Sequence, residues 1–327
     1  MSKSSLIIIR TILAKLSSGE FYSGQALAND LGLSRTSVAN YIKQLKELGL
    51  DIYSVKGRGY SLSSAITLLD PVQINAPKRV KRPAILVHEI TDSTNIQLQQ
   101  RIKSGTITEL GSAIVAEAQT AGRGRRGRNW YSPFGSNLYF SMYWRLDHGM
   151  QGAMGLSLAV GLAIVRTLKH YYSVIAKLKW PNDVYINDKK VAGILIELSG
   201  QANADCDVVI GLGLNINMPA NASSNIDQPF TSLAQHTVLP IDRNKLIVYL
   251  QQELIHILTE FSQSGFAGFV NEFNDVNQYQ NRLIKIITAE EQLGICRGVD
   301  DQGALLLETK QGLQTIFGGE VSVRGQN

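Results

Sequence analysis

The chain has 327 residues, 44% of them hydrophobic and 18% charged, enough for two or three domains with a sizeable core and unlike a disordered or fibrous polypeptide. No window approaches the ~18 apolar residues of a membrane span, and Cys206 and Cys296 form no metal-ligand or disulfide pattern, so a soluble, cytoplasmic protein is expected with no membrane partner. The net charge of +5 is uneven: residues 1–63 carry eight bases against four acids, which points to a polyanionic partner for that region.

The opening "MSKSSLIIIRTILAKL" superficially looks like a signal peptide. Arg10 and Lys15 interrupt the apolar run, however, and Leu6, Ile9, Leu13 and Leu16 have helical spacing. Two more helices are predicted in "SGQALANDLGLSRTSVANYIKQLKELG". Ser23 caps the first, Ala26, Leu27 and Leu31 share one face, and Gly32 terminates it. Ser34 caps the second, whose inward residues are Val38, Ile42, Leu45 and Leu48. Its opposite side presents Arg35, Thr36, Ser37, Asn40, Lys43 and Lys46, donors and acceptors of the kind a major-groove helix needs. "LDIYSVKGRGYSLS" then reads as a hairpin with a basic tip at Lys56 and Arg58. A small helical domain with a merely solvated polar face is the bland alternative. Caps, charge bias and basic hairpin together favour a winged helix-turn-helix DNA-binding domain over residues 1–63, contacting DNA through Ser34, Arg35, Thr36, Ser37, Asn40, Lys43, Lys56 and Arg58.

Residues 64–83 hold three prolines and the basic run KRVKR, and are expected to be a solvated linker. A larger domain is expected over 84–274. Its strand candidates are 84–90, 112–118, 137–145, 184–187, 191–199 and 207–213, and its helix candidates 93–104, 151–171 and 242–264. Short strands separated by turn residues predict a small all-β barrel over 275–327.

Within the larger domain, "AGRGRRGRNW" (121–130) contains the G-x-G-x-x-G spacing of a dinucleotide-binding turn at Gly122, Gly124 and Gly127. That reading fails, because Pro133 and Gly135 break the helix that must follow and arginines at the x positions could not pack against a sheet. What remains is a mobile backbone bearing Arg123, Arg125, Arg126 and Arg128, self-repelling unless something anionic lies inside it. A nucleic-acid-binding basic loop is the alternative. The loop's shortness, its place between two strands and Trp130, suited to stacking on a base, argue for a small ligand.

A second cluster, "KLKWPNDVYINDKKVAGILIEL" (177–198), gathers Lys179, Asn182, Asp183, Lys190 and Gly193. "VVIGLGLNIN" (208–217) adds Gly211, Gly213, Asn215 and Asn217, and "TDSTN" (91–95) adds hydroxyls and a helix cap. Singly each has a structural explanation. In this order GRGRRGR followed by Trp, KWPND, K-x-A-G-I-L-x-E and G-x-G-x-N resemble the bacterial biotin–protein ligases, and the N-terminal module resembles that of the bifunctional members that also repress biotin synthesis.

The resemblance implies a multidomain α+β fold: winged helix-turn-helix, a central mixed α/β catalytic domain like that of class II synthetases, and a C-terminal SH3-like β-barrel. It implies ATP-dependent formation of biotinyl-5′-AMP and pyrophosphate, then transfer to a lysine of the biotin carboxyl carrier protein of acetyl-CoA carboxylase. It implies biotin contacts at Ser93, Thr94, Asn95, Gln119, Gly122, Arg123, Arg125, Lys190, Gly193, Gly211 and Gly213, the glycines as flat walls. Adenylate contacts follow at Arg125, Arg126, Arg128, Trp130, Lys179, Asn182, Asn215 and Arg324, with Arg123, Arg125 and Lys190 as catalytic residues and Asp183 as a Mg²⁺ site. Operator DNA of biotin biosynthesis genes and homodimerisation on adenylate binding complete the expectation. A lipoate–protein ligase and a non-catalytic metabolite-sensing repressor are the rivals.

Overall fold

The computed structural model describes residues 3–63, 66–76, 82–147, 152–200, 205–287, 291–317 and 322–325. The chain opens with α1 (Lys3–Leu16), α2 (Gly24–Leu31) and α3 (Arg35–Glu47), then the antiparallel hairpin β1 (Ile52–Val55) and β2 (Gly59–Leu62). Ile9, Leu13 and Leu16 of α1 bury together with Leu27 and Ala28 of α2 and Val38, Ile42 and Leu45 of α3. Ala28, not the half-buried Ala26, takes the inward position, since Leu27, Ala28 and Leu31 form the three- and four-residue stripe. Ser23 and Ser34 cap α2 and α3 through their side-chain oxygens, and Gly32 ends α2 in the left-handed conformation at φ 63°.

The expected linker is largely docked. It carries α4 (Pro71–Ile74), capped by Asp70, and Leu69 and Ile74 are fully buried. A buried ion pair holds it: Arg243 Nη2 lies 2.6 Å from Glu117 Oε2, with the two side chains 4% and 0% exposed. Arg243 also donates to the Thr67 carbonyl, and Glu117 Oε1 accepts the Leu69 N–H. At such burial the charges are tolerated because each finds a partner and the remaining lone pairs are hydrogen-bonded. Of the basic run, residues 78–81 lie outside the described set, while Arg82 bonds to Gln251 and the Ile74 carbonyl.

The central unit is a seven-stranded sheet with helices on both faces. In chain order it comprises β3 (Ile85–Thr91), α5 (Thr94–Lys103), β4 (Ala113–Gln119), β5 (Leu138–Leu146), α6 (Leu156–Tyr172), β6 (Lys177–Lys179), β7 (Asp183–Ile186), β8 (Lys189–Gly200), β9 (Cys206–Leu214), α7 (Arg243–Ser264) and α8 (Val270–Val276). The strand order is β3-β4-β5-β9-β8-β7-β6, with β3 and β4 parallel and the rest antiparallel. The long apolar α6 and the inward stripe of α7 cover one face, which explains why β5 reads as a nearly continuous hydrophobic run. On the other face α5 covers only one end, where Leu98 packs against Ile114, Tyr143 and Val209. The rest of that face, over β9, β8 and β7, is left for the site.

Five antiparallel strands complete the chain: β10 (Leu283–Ile287), β11 (Glu291–Val299), β12 (Leu305–Thr309), β13 (Gly312–Ile316) and β14 (Ser322–Gly325), in the order β13-β12-β11-β10-β14. Their inward residues, among them Ile284, Leu305 and Val323, join the same core as the central sheet, and Trp180 Nε1 donates to the Gly303 carbonyl at 3.0 Å. β14 is thereby carried to the edge of the pocket.

Candidate functional site

The glycine–arginine segment leaves β4 and forms a hydrogen-bonded hairpin rather than the mobile loop expected from its composition. Trp130 N donates to the Gly122 carbonyl at 2.9 Å, Gly124 N to the Arg128 carbonyl at 2.7 Å, and Arg123 bridges Asn129. A single 3₁₀ turn, Arg125–Gly127, makes the tip. It places Arg126 at φ 58°, a left-handed conformation costly for a side-chain-bearing residue and most often retained at functional sites. Gly122 is needed for packing: a Cβ there would stand 2.5 Å from the Trp130 carbonyl. It lies buried at the hairpin's base, against Trp130, Ser132 and Gln119.

The hairpin lies over the open sheet face and encloses a cavity of about 140 Å³. Ser93, Thr94, Asn95, Gln119, Arg123, Arg125, Lys190, Gly193, Gly211 and Gly213 all line it, as do Arg126, Arg128, Trp130, Lys179, Asn182 and Asp183. An adjoining cavity of about 470 Å³ is lined by Asn215 together with residues 223–228, and shares Arg128, Trp130 and Lys190 with the first. The smaller compartment is well under the ~300–1,000 Å³ of a drug-sized ligand pocket, so a nucleotide-sized ligand must use both. Asn215 lines the second compartment, and Trp130, with Arg128, Asn129, Lys190 and Gln228, lines both.

The sheet glycines serve protein side chains here. A Cβ on Gly213 would fall 2.3 Å from Trp130 Cε2 and one on Gly193 3.0 Å from Trp130 Cζ3, while one on Gly211 would meet Asn95 Oδ1 at 2.2 Å. The flat walls are real, but the indole and the Asn95 amide lie on them. Trp130 Nε1, lying against Gly213, is buried without a hydrogen-bond partner.

At the neutral end, Gln119 Oε1 accepts from both Thr94 N (2.9 Å) and Thr94 Oγ1 (3.1 Å). Ser93 occupies the N-cap position of α5 without a side-chain cap bond, so Gln119 performs the capping expected of the serine. Glu197 Oε2 accepts from Asn95 Nδ2 (2.7 Å) and Arg123 Nη2 (2.8 Å). Glu197 closes the K-x-A-G-I-L-x-E motif without a role assigned to it from sequence, and Ser141 is not marked there at all, although each is a polar residue inside an apolar strand run, with Glu197 on the same β8 face as Gly193.

The other end is cationic. Lys190 Nζ sits 2.7 Å from Asp183 Oδ1 with the two side chains 13% and 16% exposed, and 5.4 Å from the Trp130 ring centroid. Asp183, expected to hold Mg²⁺, is thus engaged by a lysine, and among the described residues no three His, Cys, Asp or Glu side chains gather to hold a metal. Arg125 Nη1 donates to Asn182 Oδ1 at 2.8 Å, and burial lowers the Arg125 pKa. Burial also brings the Lys179 pKa down to about 8, against the pull of Asp183 and with help from Arg324, Lys190 and Arg128. Arg324 of β14 therefore stands close to the cluster, and its neighbour Val323 lines the cavity.

The DNA-facing candidates are dispersed by contrast. Arg35, Thr36, Asn40, Lys43, Lys56 and Arg58 are exposed, Arg58 with its guanidinium 4.4 Å from the Phe21 ring centroid. Ser34 and Ser37 bond to each other through their hydroxyls at 2.9 Å, which leaves them less available than a solvated serine.

Comparison with known proteins agrees with this layout. Family models match residues 9–61 (HTH domain), 87–215 (Biotin/lipoate A/B protein ligase family) and 281–324 (Biotin protein ligase C terminal domain). The bifunctional ligase/repressor BirA of Escherichia coli (strain K12) is 40% identical over 96% of both chains. The protein of the same description from Bacillus subtilis (strain 168) is 30% identical over 93% of this chain and 94% of its own length. Among solved structures, the biotin protein ligase from Aquifex aeolicus in complex with biotin and ATP superposes with a TM-score of 0.64 at 29% identity, over 74% of this chain and 99% of that one. That match covers too little of this chain to include every unit, whereas the BirA relatives span nearly all of it. With a cationic nucleotide-sized pocket behind a helix-turn-helix module, this chain belongs to the biotin–protein ligase family, among its bifunctional ligase/repressors.

Proposed function

We propose that the protein joins biotin to a lysine of the biotin carboxyl carrier protein of acetyl-CoA carboxylase through biotinyl-5′-AMP, and that the same adenylate makes it a dimeric repressor of biotin biosynthesis genes. The observation that carries this reading is the meeting of two unlike environments in one pocket. Lys190, Lys179 and Arg125 gather about the Asp183 carboxylate, with Arg128 and Arg324 close enough to act on Lys179, beside a hydrogen-bonding cradle built on Thr94 and Gln119.

In the first step a biotin carboxylate oxygen bonds to the α-phosphorus of ATP as the bond to pyrophosphate breaks. Two anions must approach, and preplaced cations in a dehydrated site offset their repulsion without reorganising. Arg125 and Arg128 hold phosphate oxygens in planar, two-pronged fashion, with Arg126 and Arg324 flanking. Lys190 exchanges its Asp183 partner for the reacting carboxylate. Gln119, Thr94 and Ser93 serve the ureido head of biotin, while Trp130 and Asn215 receive the adenine. In the second step the carrier lysine amine attacks the acyl carbon, AMP departs with the bonding pair, and the amine loses its proton. The hairpin meanwhile keeps water from the anhydride. Mg²⁺ would come with the triphosphate, whose oxygens supply most of the ligands such a cation needs. Dimerisation brings two α3 helices and two β1–β2 wings to a two-fold operator.

Mass spectrometry of a biotin carboxyl carrier domain incubated with the protein, ATP and biotin tests this. One added biotinyl group, dependent on ATP, is expected. Labelling by lipoic acid instead would support the lipoyl rival, and no labelling by either would leave only a metabolite-sensing repressor.

A further inference from the structure

The ligase reading uses the side chains that face the substrates and leaves Glu197 without a part. Its place in the sheet is specific. The β8–β9–β5 register puts Leu195, Gly211 and Ser141 in one row beneath the cavity, and Glu197, Val209 and Tyr143 in the next. Glu197 therefore stands one row beyond the floor, with its carboxylate leaning back toward it. There Oε2 is shared by Arg123 of the hairpin and Asn95 of α5.

From Asn95 the hydrogen bonds continue around the cavity. Ser141 Oγ lies 2.5 Å from Asn95 Oδ1 and 2.7 Å from Thr94 Oγ1, and Thr94 bonds Gln119. Gln119 Nε2 donates to Ser132 Oγ at 3.1 Å, and Ser132 Oγ donates to the Trp130 carbonyl at 2.9 Å. The chain of contacts leaves the hairpin at Arg123 and returns to it at Trp130, enclosing the neutral end of the pocket. Within it Glu197 is the charged acceptor. A carboxylate offers no donor when ionised, so it compels Asn95 to present its amino group outward and its oxygen to Ser141. It also draws Arg123 toward the sheet, away from Arg125, Arg126 and Arg128.

We propose that Glu197 is a positioning residue for biotin, acting through Arg123 and Asn95 and not on the phosphates. The proposal rests on the ligase reading and deepens it. Removing the charge frees Arg123 and lets the Asn95 amide turn, which loosens the biotin end while the cations of the other end keep their partners. Charge-assisted bonds carry enough energy for an effect of about tenfold.

The experiment measures biotin-dependent pyrophosphate release by the full chain. Glu197→Gln is expected to raise the KM for biotin about tenfold, with the KM for ATP and kcat at saturating biotin within about twofold and thermal stability little changed. Glu197→Asp, which keeps the charge, falls between the two and serves if the glutamine variant does not fold. In an Arg123→Ala background, Glu197→Gln should cost less than it does in the wild type, since the share carried through Arg123 is already lost and only the share through Asn95 remains. An unchanged biotin KM, an equal loss in all three parameters with a fall in melting temperature, or full additivity of the two substitutions would each overturn the proposal. Wild-type protein that releases no pyrophosphate from biotin and ATP would bring down the ligase reading itself, a result separate from any effect of the variants.

Discussion

Two regions of this molecule concentrate positive charge, and they do so in opposite ways. On α3 and the β1–β2 tip the cations are spread along a surface, exposed to water, and Lys46 and Lys43 meet Ser54 and Glu47 respectively. In the pocket they converge: Lys179, Lys190 and Arg125 are drawn partly out of water, the last two held by Asp183 and Asn182, while Arg123, paired with Glu197, and Arg126 and Arg128 stay exposed along the hairpin. The difference is one of dielectric. Solvated cations act collectively on an extended polyanion and are screened by salt. Desolvated ones act singly, at fixed positions, on a small ligand whose charge appears where they already point.

The largest test of this contrast is Lys190→Ala, expected to lower biotin-dependent pyrophosphate release about 10³-fold while circular dichroism shows a folded chain. A variant that keeps its rate would place the pocket's cations in the same class as the surface ones.

A pH profile probes the second distinguishing feature, desolvation. With its pKa brought down to about 8, Lys179 is neutral in the free protein above that pH, whereas bound phosphate favours its protonated form. Binding must then take up a proton, so ATP affinity should fall by up to about tenfold per pH unit above pH 8. Lys179→Arg, always charged, should flatten that limb. An alkaline limb that survives this substitution would assign the effect to another group.

The smallest expected effects are at the DNA face. Lys43→Ala or Lys56→Ala should each weaken duplex binding modestly and lessen the salt slope by about one counterion. A loss of pyrophosphate release in either variant, comparable to that of Lys190→Ala, would erase the separation of the two sites.

Much of this was legible in one dimension. Apolar spacing in α1 and α3, the serine caps and Gly32 mark the N-terminal helices, because these signals act within a few residues of one another. Ala26 and Ala28 are nearly equivalent by spacing in so short a helix, and only the packing partner makes Ala28 the inward one. The docked linker was illegible, since Glu117 and Arg243 stand 126 residues apart and neither has a local pattern that announces a buried pair.

The pocket divides along the same line. Residue types and order determined that glycines, arginines and a lysine would meet an anionic ligand, for that follows from chemistry carried by the motifs themselves. Only the tertiary structure decided that the arginine segment closes into a hairpin, that Gly122 serves its base, that Lys190 rests on Asp183 and that Trp130 lines two compartments. Those outcomes depend on which strands lie side by side. β8 and β9 bring Glu197, Gly193 and Gly213 beneath a segment more than sixty residues earlier, and α5 supplies Asn95 from earlier still. Local sequence fixes what each side chain offers; the register of the sheet fixes which of its neighbours accepts.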